Sequence, residues 1–261
     1  LKSSGLLSIL TFSEKRKKLL FLLLEEPKSL SEIKNYFSVS SPEISPRIKE
    51  MEEANLICKG DKRYHITSIG KIAAKYLQPL LDYLNVIEKH EDFWKEHALK
   101  DIPEELLERL SELNNCELIE DSTEHIYESH KEFTDNISKS TVVKGLSSIF
   151  IPTYPPFFEK LAINNVPTSL ILTEPVFEKV KNEHTEQIQT YLDAESTSLY
   201  VLDDAKLAFV VTDYFFSLSL YFENGRFDPH KDLLGFDESA LNWGDDLFNY
   251  YKSKSREIKS L

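Results

Sequence analysis

The sequence predicts a chain of mixed α+β and α/β class: an N-terminal winged helix-turn-helix, a helical connector, and a C-terminal mixed β-sheet domain flanked by helices. Three observations carry this reading. Residues 29–70 hold two short helical patterns followed by two short strand patterns around a Gly-Asp turn. Residues 71–97 hold a long helical apolar repeat with a proline inside it. From residue 142 onward, short β-branched and aromatic runs alternate with helical patterns, as in a sheet joined by crossover helices. The chain then divides into a nucleic-acid-binding module at 1–78, a connector and candidate dimer seam at 79–115, and an acidic effector domain at 116–261.

Residues 1–12 are a short apolar lead-in. Ser13 is an N-cap and Pro27 a stop, which bounds a first helix. Its leucines, Leu19, Leu20, Leu22, Leu23 and Leu24, occupy too many sides for a surface helix, so it must be covered. Lys15, Arg16, Lys17 and Lys18 stay in water near its start, either as a solvated face or as phosphate contacts. Ser29 and Glu32 form a capping box, and Leu30, Ile33 and Phe37 give the buried stripe of the second helix. After the turn chemistry of Phe37-Ser-Val-Ser-Ser, Ile44, Ile48 and Met51 mark a third helix. Pro46 has no N–H to give it, so the usable helix is expected to start at Ser45. Leu56-Ile57-Cys58 and Arg63-Tyr64-His65-Ile66 are strands of a hairpin with Gly60-Asp61 at its tip. Thr67 caps the next helix, and Gly70 lets that helix approach its neighbours closely.

Charge points this module at nucleic acid. The chain carries a net charge of −13, yet residues 1–75 hold 14 Lys+Arg against 9 Asp+Glu while residues 76–261 hold 17 against 35. A basic end tethered to an acidic domain concentrates phosphate attraction at one place. The outward side of the third helix, with Pro42, Glu43, Pro46, Glu50 and Glu53, is a poor surface for reading base edges. Ser41, Ser45, Arg47 and Lys49 are its remaining candidates. The other expected contacts are Lys15 to Lys18, Lys28 and the wing residues Lys59, Lys62 and Arg63, a set suited to phosphates and groove shape. Such a set fits duplex DNA and leaves RNA open.

The connector repeat runs through Ile72, Ala73, Tyr76, Leu80, Tyr83, Leu84 and Ile87 toward Trp94. Pro79 predicts a kink or two successive helices. The repeat is a homodimer seam or packs on its own chain, and as a seam it would couple the acidic domain to the spacing of two winged helices. Residues 101–116 add a further short helix. In the second domain, strands are expected at 142–151, 168–172, 198–202, 207–211 and 216–222, and helices at 124–138, 156–164, 176–191 and 238–254. Parallel pairing suits the earlier strands and antiparallel hairpins the later ones. Thr153, Tyr154, Thr173, Glu174, Asp203, Asp204, Thr212 and Asp213 stand at strand ends, where they either line an effector pocket or cap the next helix or turn.

Catalysis is not expected. The chain has no Gly-rich phosphate loop, no Gly-x-Ser-x-Gly and no His-Glu-x-x-His. His125 and His130 lack a supporting metal set, no cofactor is implied, and His184 and Asp228 read as surface or turn residues. Cys58 and Cys116 are the only cysteines, which predicts a reducing cytoplasm. No apolar run nears the roughly 20 residues of a membrane span, and no signal-peptide pattern opens the chain.

Leu56-Ile57, the charged hairpin and Tyr64-His-Ile-Thr67-Ser-Ile-Gly70 resemble the wing region of archaeal and bacterial winged-helix transcriptional regulators. Further along, Glu91-Asp-Phe-Trp-Lys-Glu-His97 with Ile102-Pro-Glu104, Leu170-Ile-Leu-Thr-Glu-Pro-Val-Phe-Glu178 and Phe236-Asp-Glu-Ser-Ala-Leu-Asn-Trp-Gly244 are similar to methanogen winged-helix regulators. The sensor-like C-terminal domain of that group is related to the one in archaeal filamentation regulators. The resemblance covers nearly the whole chain. It implies a transcription regulator, puts DNA ahead of RNA, and is silent on any ligand.

Overall fold

The computed structural model describes residues 5–120 and 133–261, and the chain forms two compact units, Leu1–Asp82 and Tyr83–Leu261. The first holds α1 (Leu6–Thr11), α2 (Glu14–Glu25), β1 (Lys28–Ser29), α3 (Leu30–Phe37), α4 (Ser41–Glu53), β2 (Ile57–Gly60) and β3 (Arg63–Ile66). Helix α5 (Ser68–Lys89) begins in this unit and crosses the division. The three strands form an antiparallel sheet in the order β1-β3-β2, with Lys28 opposite Tyr64 and Cys58 opposite His65. Leu19, Leu20, Leu23, Ile33, Ile44, Met51 and Leu56 are fully buried between the helices and the sheet. This is a winged helix-turn-helix.

The capping box forms as expected: Ser29 donates its N–H to Glu32 Oε2 at 2.8 Å, and Glu32 donates its N–H to Ser29 Oγ at 3.3 Å. The hydrogen bonds from Ser29 hold the Glu32 carboxyl below its ordinary range. A carboxyl lowered by folding stabilises above its unfolded pKa, and the contribution fades as pH falls through the folded one. Ser29→Ala removes the N-cap side chain, a change that ordinarily costs about 1 kcal/mol. In urea titrations that difference should shrink in acid; a difference that grew would contradict it.

Three local expectations are corrected. Strand β1, two residues long, is absent from the expected elements. Helix α4 starts at Ser41, with Pro42 in its first turn and Pro46 inside it; the first turn needs no N–H from Pro42. The wing tip is Asp61-Lys62, since Gly60 pairs with Arg63. Both tip residues are left-handed, at φ 49° and 63°, as a two-residue I′ hairpin turn requires. Of the two outcomes expected at Pro79, a kink or two successive helices, the second is excluded: α5 is one element of 22 residues.

The second unit adds α6 (Glu91–Glu96), α7 (Glu104–Leu107), a 3₁₀ turn (Leu110–Leu113), β4 (Glu117–Glu120), helical residues 133–138 (α8) and β5 (Val143–Ser147). It continues through α9 (Tyr154–Ile163), β6 (Thr168–Thr173), α10 (Glu174–Glu183), α11 (Thr185–Asp193), β7 (Thr197–Leu202), β8 (Leu207–Thr212) and β9 (Phe216–Tyr221). It ends with β10 (Phe227–Gly235), α12 (Glu238–Ser253) and β11 (Arg256–Ile258). Eight strands make one mixed sheet, β11-β7-β6-β5-β8-β9-β10-β4. Strands β5, β6 and β7 are parallel and every other pair is antiparallel.

One face of the sheet presents Leu146, Ile171, Phe209, Val211, Phe216 and Leu218 to Trp243, Leu247 and Phe248 of α12. Phe93, Trp94, Ile102 and Leu106 join this core, so the end of the expected dimer seam is buried within its own unit. The other face presents Leu170, Leu172, Leu199 and Val201 to α9, α10 and α11. The expected helix at 176–191 is two helices, α10 and α11, parted at His184. Strands β4, β10 and β11 are further additions to the expected elements. Of the helix expected at 124–138, residues 124–132 lie outside the described residues, as do His125 and His130.

Candidate nucleic-acid interface and an internal cavity

The structure puts many of the expected phosphate-binding cations to internal use. Lys15 and Arg16 of α2 pair with Glu43 and Glu50 of α4. Arg16 also donates from Nε to the Ile9 carbonyl at 2.7 Å, so it ties α1, α2 and α4 together. Lys17 pairs with Glu14, Lys28 with Glu26, and Lys49 with Glu53 at 3.8 Å. Arg47 donates to the Glu43 carbonyl, Ser41 is half-buried and Ser45 exposed. Arg63 reaches Glu32 at 3.4 Å and the Pro27 carbonyl at 2.6 Å. Lys18, Lys59 and Lys62 are exposed, and among the described residues no ion pair engages them. Lys59 lies over the Tyr64 ring, 5.6 Å from its centroid. The wing thus brings Lys59, Lys62 and Arg63 onto one hairpin, whereas the α2 and α4 charges largely neutralise one another.

The strand-end residues fall at two opposite ends of the sheet. Strand β8 runs against β5, so Thr212 lies opposite Val143, which also pairs with Thr168 at the start of β6. Thr212 and Asp213 therefore sit at the other end of the sheet from Thr173, Glu174 and Asp203. Thr212 Oγ1 accepts the N–H groups of Tyr214 and Phe215 at 3.0 and 2.9 Å, a turn cap. Asp213 accepts from the Thr141 N–H at 2.8 Å and its hydroxyl at 2.6 Å. Burial opposes ionisation of Asp213, but these bonds outweigh it and hold its carboxyl low. Thr173 is buried, Glu174 pairs with Arg256 at 2.9 Å, and Thr153, Asp203 and Asp204 are exposed. Neither Thr153 nor Thr173 makes a side-chain cap bond.

Of these residues only Tyr154 lines the large cavity that the second unit does contain, about 390 Å³ in volume. Its floor is the α9–α11 face of the sheet where Gly145, Ser147, Ala208, Ser217 and Ser219 place small side chains. Phe150, Phe158, Val176 and Ile188 wall it on the side of β6 and β7, and Asp228 and Asp232 of β10 close the other side. Ser219 donates its hydroxyl to Asp232. Burial, then the charge of Asp232, pushes the Tyr154 phenol up, so it stays a donor at neutral pH.

Asp228, read from sequence as a surface or turn residue, is buried. Its Oδ1 accepts the His230 N–H at 2.9 Å, and its Oδ2 lies 3.1 Å from Nε2 of His97. The His97 side chain is fully buried; its Nδ1 is 2.7 Å from the Phe93 carbonyl and its ring stacks on Phe222. The one signal of the cavity in the sequence was β9 itself, Phe-Ser-Leu-Ser-Leu-Tyr, whose serines face inward. Cys116 is buried, which pushes its thiol up to about 12, while Cys58 is exposed. Among the described residues no group of His, Cys, Asp and Glu is placed to hold a metal ion, and no helix is long and apolar enough to cross a membrane.

A basic-winged helix-turn-helix and a mixed α/β unit with an internal cavity together define a winged-helix protein with an appended acidic domain. Residues 5–85 match the N-terminal domain of the methanogenesis regulatory protein FilR1, and residues 126–254 match its middle domain. The chain belongs to the FilR1 family. It is 28% identical over 251 residues to the methanogenesis regulatory protein FilR1 of Methanothrix harundinacea (strain 6Ac), across 94% of this chain and 56% of that protein. The chain thus spans little more than half the length of this relative. Among solved structures it is similar to TrmBL2, described as an archaeal chromatin protein with a novel mode of DNA binding, at 15% identity and a TM-score of 0.45 over 94% of each chain. It is also similar to a phosphatidylserine synthase of Haemophilus influenzae Rd KW20, at 14% identity and a TM-score of 0.41 over 51% of this chain and 37% of that one. Structural likeness of this degree carries nothing about function.

Proposed function

We propose that this protein is a transcription regulator that binds duplex DNA through its winged helix, as a homodimer, with the acidic unit as an effector or partner-binding domain. The observation that carries it is the wing: Lys59 and Lys62 exposed beside Arg63 on a tight hairpin of a unit whose net charge is positive. Membership of a family of regulatory proteins supports the reading. Binding rests mainly on phosphate contacts and groove shape, because α4 turns Glu43, Glu50 and Glu53 outward. Exposed Ile69, Ile72, Tyr76 and Leu80 recur along α5 at heptad-like spacing, and Tyr83 continues the series. An apolar stripe of that kind suits a two-fold partner helix. No catalytic step belongs to this function.

The test is selection from random DNA duplexes and matched RNA across a salt series, with a Lys59→Ala/Lys62→Ala/Arg63→Ala variant alongside. A palindromic DNA site should emerge. The variant should bind at least about tenfold more weakly, with a salt slope lower by up to about three, one for each lost phosphate contact. Unchanged affinity in the variant would remove the wing from the interface. Tighter binding of RNA would move the function to RNA, and binding of neither would leave a protein-docking module.

A further inference from the structure

The cavity of the second unit holds one buried hydroxyl that the fold leaves without a partner. At about 390 Å³ the cavity falls in the range of small-molecule sites, roughly 300–1,000 Å³. Its space arises because Gly145, Ala208 and three serines occupy floor positions on a sheet face that elsewhere carries Leu and Val. On the side of β6 and β7 the walls are aromatic and aliphatic, with Phe150, Phe158, Val176 and Ile188. A ligand gains there by taking its own apolar surface out of water.

The three serines differ. Ser147 donates its hydroxyl to the Ile149 carbonyl at 2.7 Å, and Ser219 donates to Asp232. Ser217 lines the cavity and is only 6% exposed, and among the described residues nothing hydrogen-bonds its hydroxyl. Its cross-strand neighbours offer no side-chain partner, since it stands opposite Val210 of β8 and Leu234 of β10. A hydroxyl kept from water without a partner costs free energy, which a bound oxygen function would recover. Both carboxylates at the cavity are already engaged within the chain, Asp228 by His97 and the His230 N–H and Asp232 by the Ser219 hydroxyl. A cationic head would have to displace those bonds, and an anionic head would lie near two like charges. An uncharged head needs only Ser217. We infer that the cavity binds a small uncharged molecule with an apolar body and one hydroxyl or carbonyl oxygen, the oxygen against Ser217 and the body among Phe150, Phe158, Val176 and Ile188. This deepens the regulator reading by giving its acidic unit an effector class, and it rests on that reading only for the role of effector.

Binding is read by calorimetry on the full chain without nucleic acid, so its failure is distinguishable from failure of DNA recognition. Four probes share one skeleton: 2-phenylethanol, ethylbenzene, phenethylamine and phenylacetate. The alcohol should bind saturably, and each charged probe at least about tenfold more weakly, because a charge enters apolar walls at a cost that a hydroxyl avoids. Ser217→Ala should weaken the alcohol about fivefold, the scale of one net hydrogen bond between neutral groups, and leave ethylbenzene within about twofold. Ala208→Phe, which fills the floor, should abolish binding of both while circular dichroism and the urea midpoint stay near the parent. Alcohol binding unmoved by Ser217→Ala, an equal loss for alcohol and ethylbenzene in that variant, tighter binding of either charged probe, or no saturable binding of any probe would overturn the proposal.

Discussion

In a Gly70→Ala variant the N-terminal unit is expected to unfold while the second unit stays folded. A Cβ at position 70 would lie 2.1 Å from the Leu56 carbonyl oxygen, 2.7 Å from Ile66 Cγ1 and 3.1 Å from the Leu56 carbonyl carbon. Two of these three atoms are backbone, so no side-chain rotation relieves the clash. Nor can the backbone withdraw cheaply. The Leu56 carbonyl accepts the Thr67 N–H at 3.0 Å and the Thr67 hydroxyl at 3.1 Å, and Thr67 Oγ1 in turn accepts the Gly70 N–H at 3.0 Å. Moving Leu56 away breaks the cap that starts α5 and shifts a fully buried leucine. The loss should exceed about 3 kcal/mol, beyond ordinary overpacking because the obstacle is main chain. Both tryptophans, Trp94 and Trp243, lie in the second unit. Their fluorescence transition in urea should stay near the parent midpoint, while circular dichroism loses part of its helical signal before that transition. Gly5→Ala, with nothing within 4 Å of the added carbon, is the matched control. A Gly70→Ala protein with both transitions intact would show that α5 does not need this contact.

The winged helix was legible because its signals are local. A capping box, a turn and a β-hairpin each complete themselves within a few residues, so Ser29, Glu32, Thr67 and Gly70 could be assigned without knowing the fold. The wing tip was displaced by one residue because a Gly-Asp pair looked like the turn, whereas the left-handed positions fall to Asp61 and Lys62. What the sequence hid was non-local. The carboxylates that occupy Lys15 and Arg16 are 28 and 34 residues away, so counting basic residues overstated the charge offered to phosphate. Strand β10 escaped notice because Asp228, Pro229, His230, Lys231 and Asp232 interrupt any apolar alternation, and its pairing with β9 shifts register between Phe227 and Asp232. Polar residues point inward there because the sheet face beneath them is a cavity and because His97, 131 residues away in sequence, meets Asp228. The strand-end rule failed for Thr212 and Asp213 since it holds for parallel strands, and β8 is antiparallel.

His97→Ala should destabilise the second unit by roughly 3–5 kcal/mol, because it removes one partner of a buried His–carboxylate contact and leaves the other. In the parent, Asp228 shares its carboxylate between the His230 N–H and His97 Nε2, with the His97 and Asp228 side chains 0% and 2% exposed. Truncation strips away the imidazole, its bond to the Phe93 carbonyl and its stacking on Phe222. Much of the penalty is the stranded carboxylate, which separates this account from a simple loss of packing. Asp228→Asn added to His97→Ala removes the charge while keeping the shape, so the double variant should be more stable than His97→Ala alone. A packing account predicts the reverse, since a second change in the same contact could only add damage. Tryptophan fluorescence in urea reads the comparison directly, because Trp94 stands three residues from His97 and in ring contact with Phe93. If the double variant unfolds at lower urea than His97→Ala, the pair acts through packing and not through charge. If it unfolds at higher urea, the pair acts through charge, and burial of Asp228 in β10 depends on the histidine that follows α6.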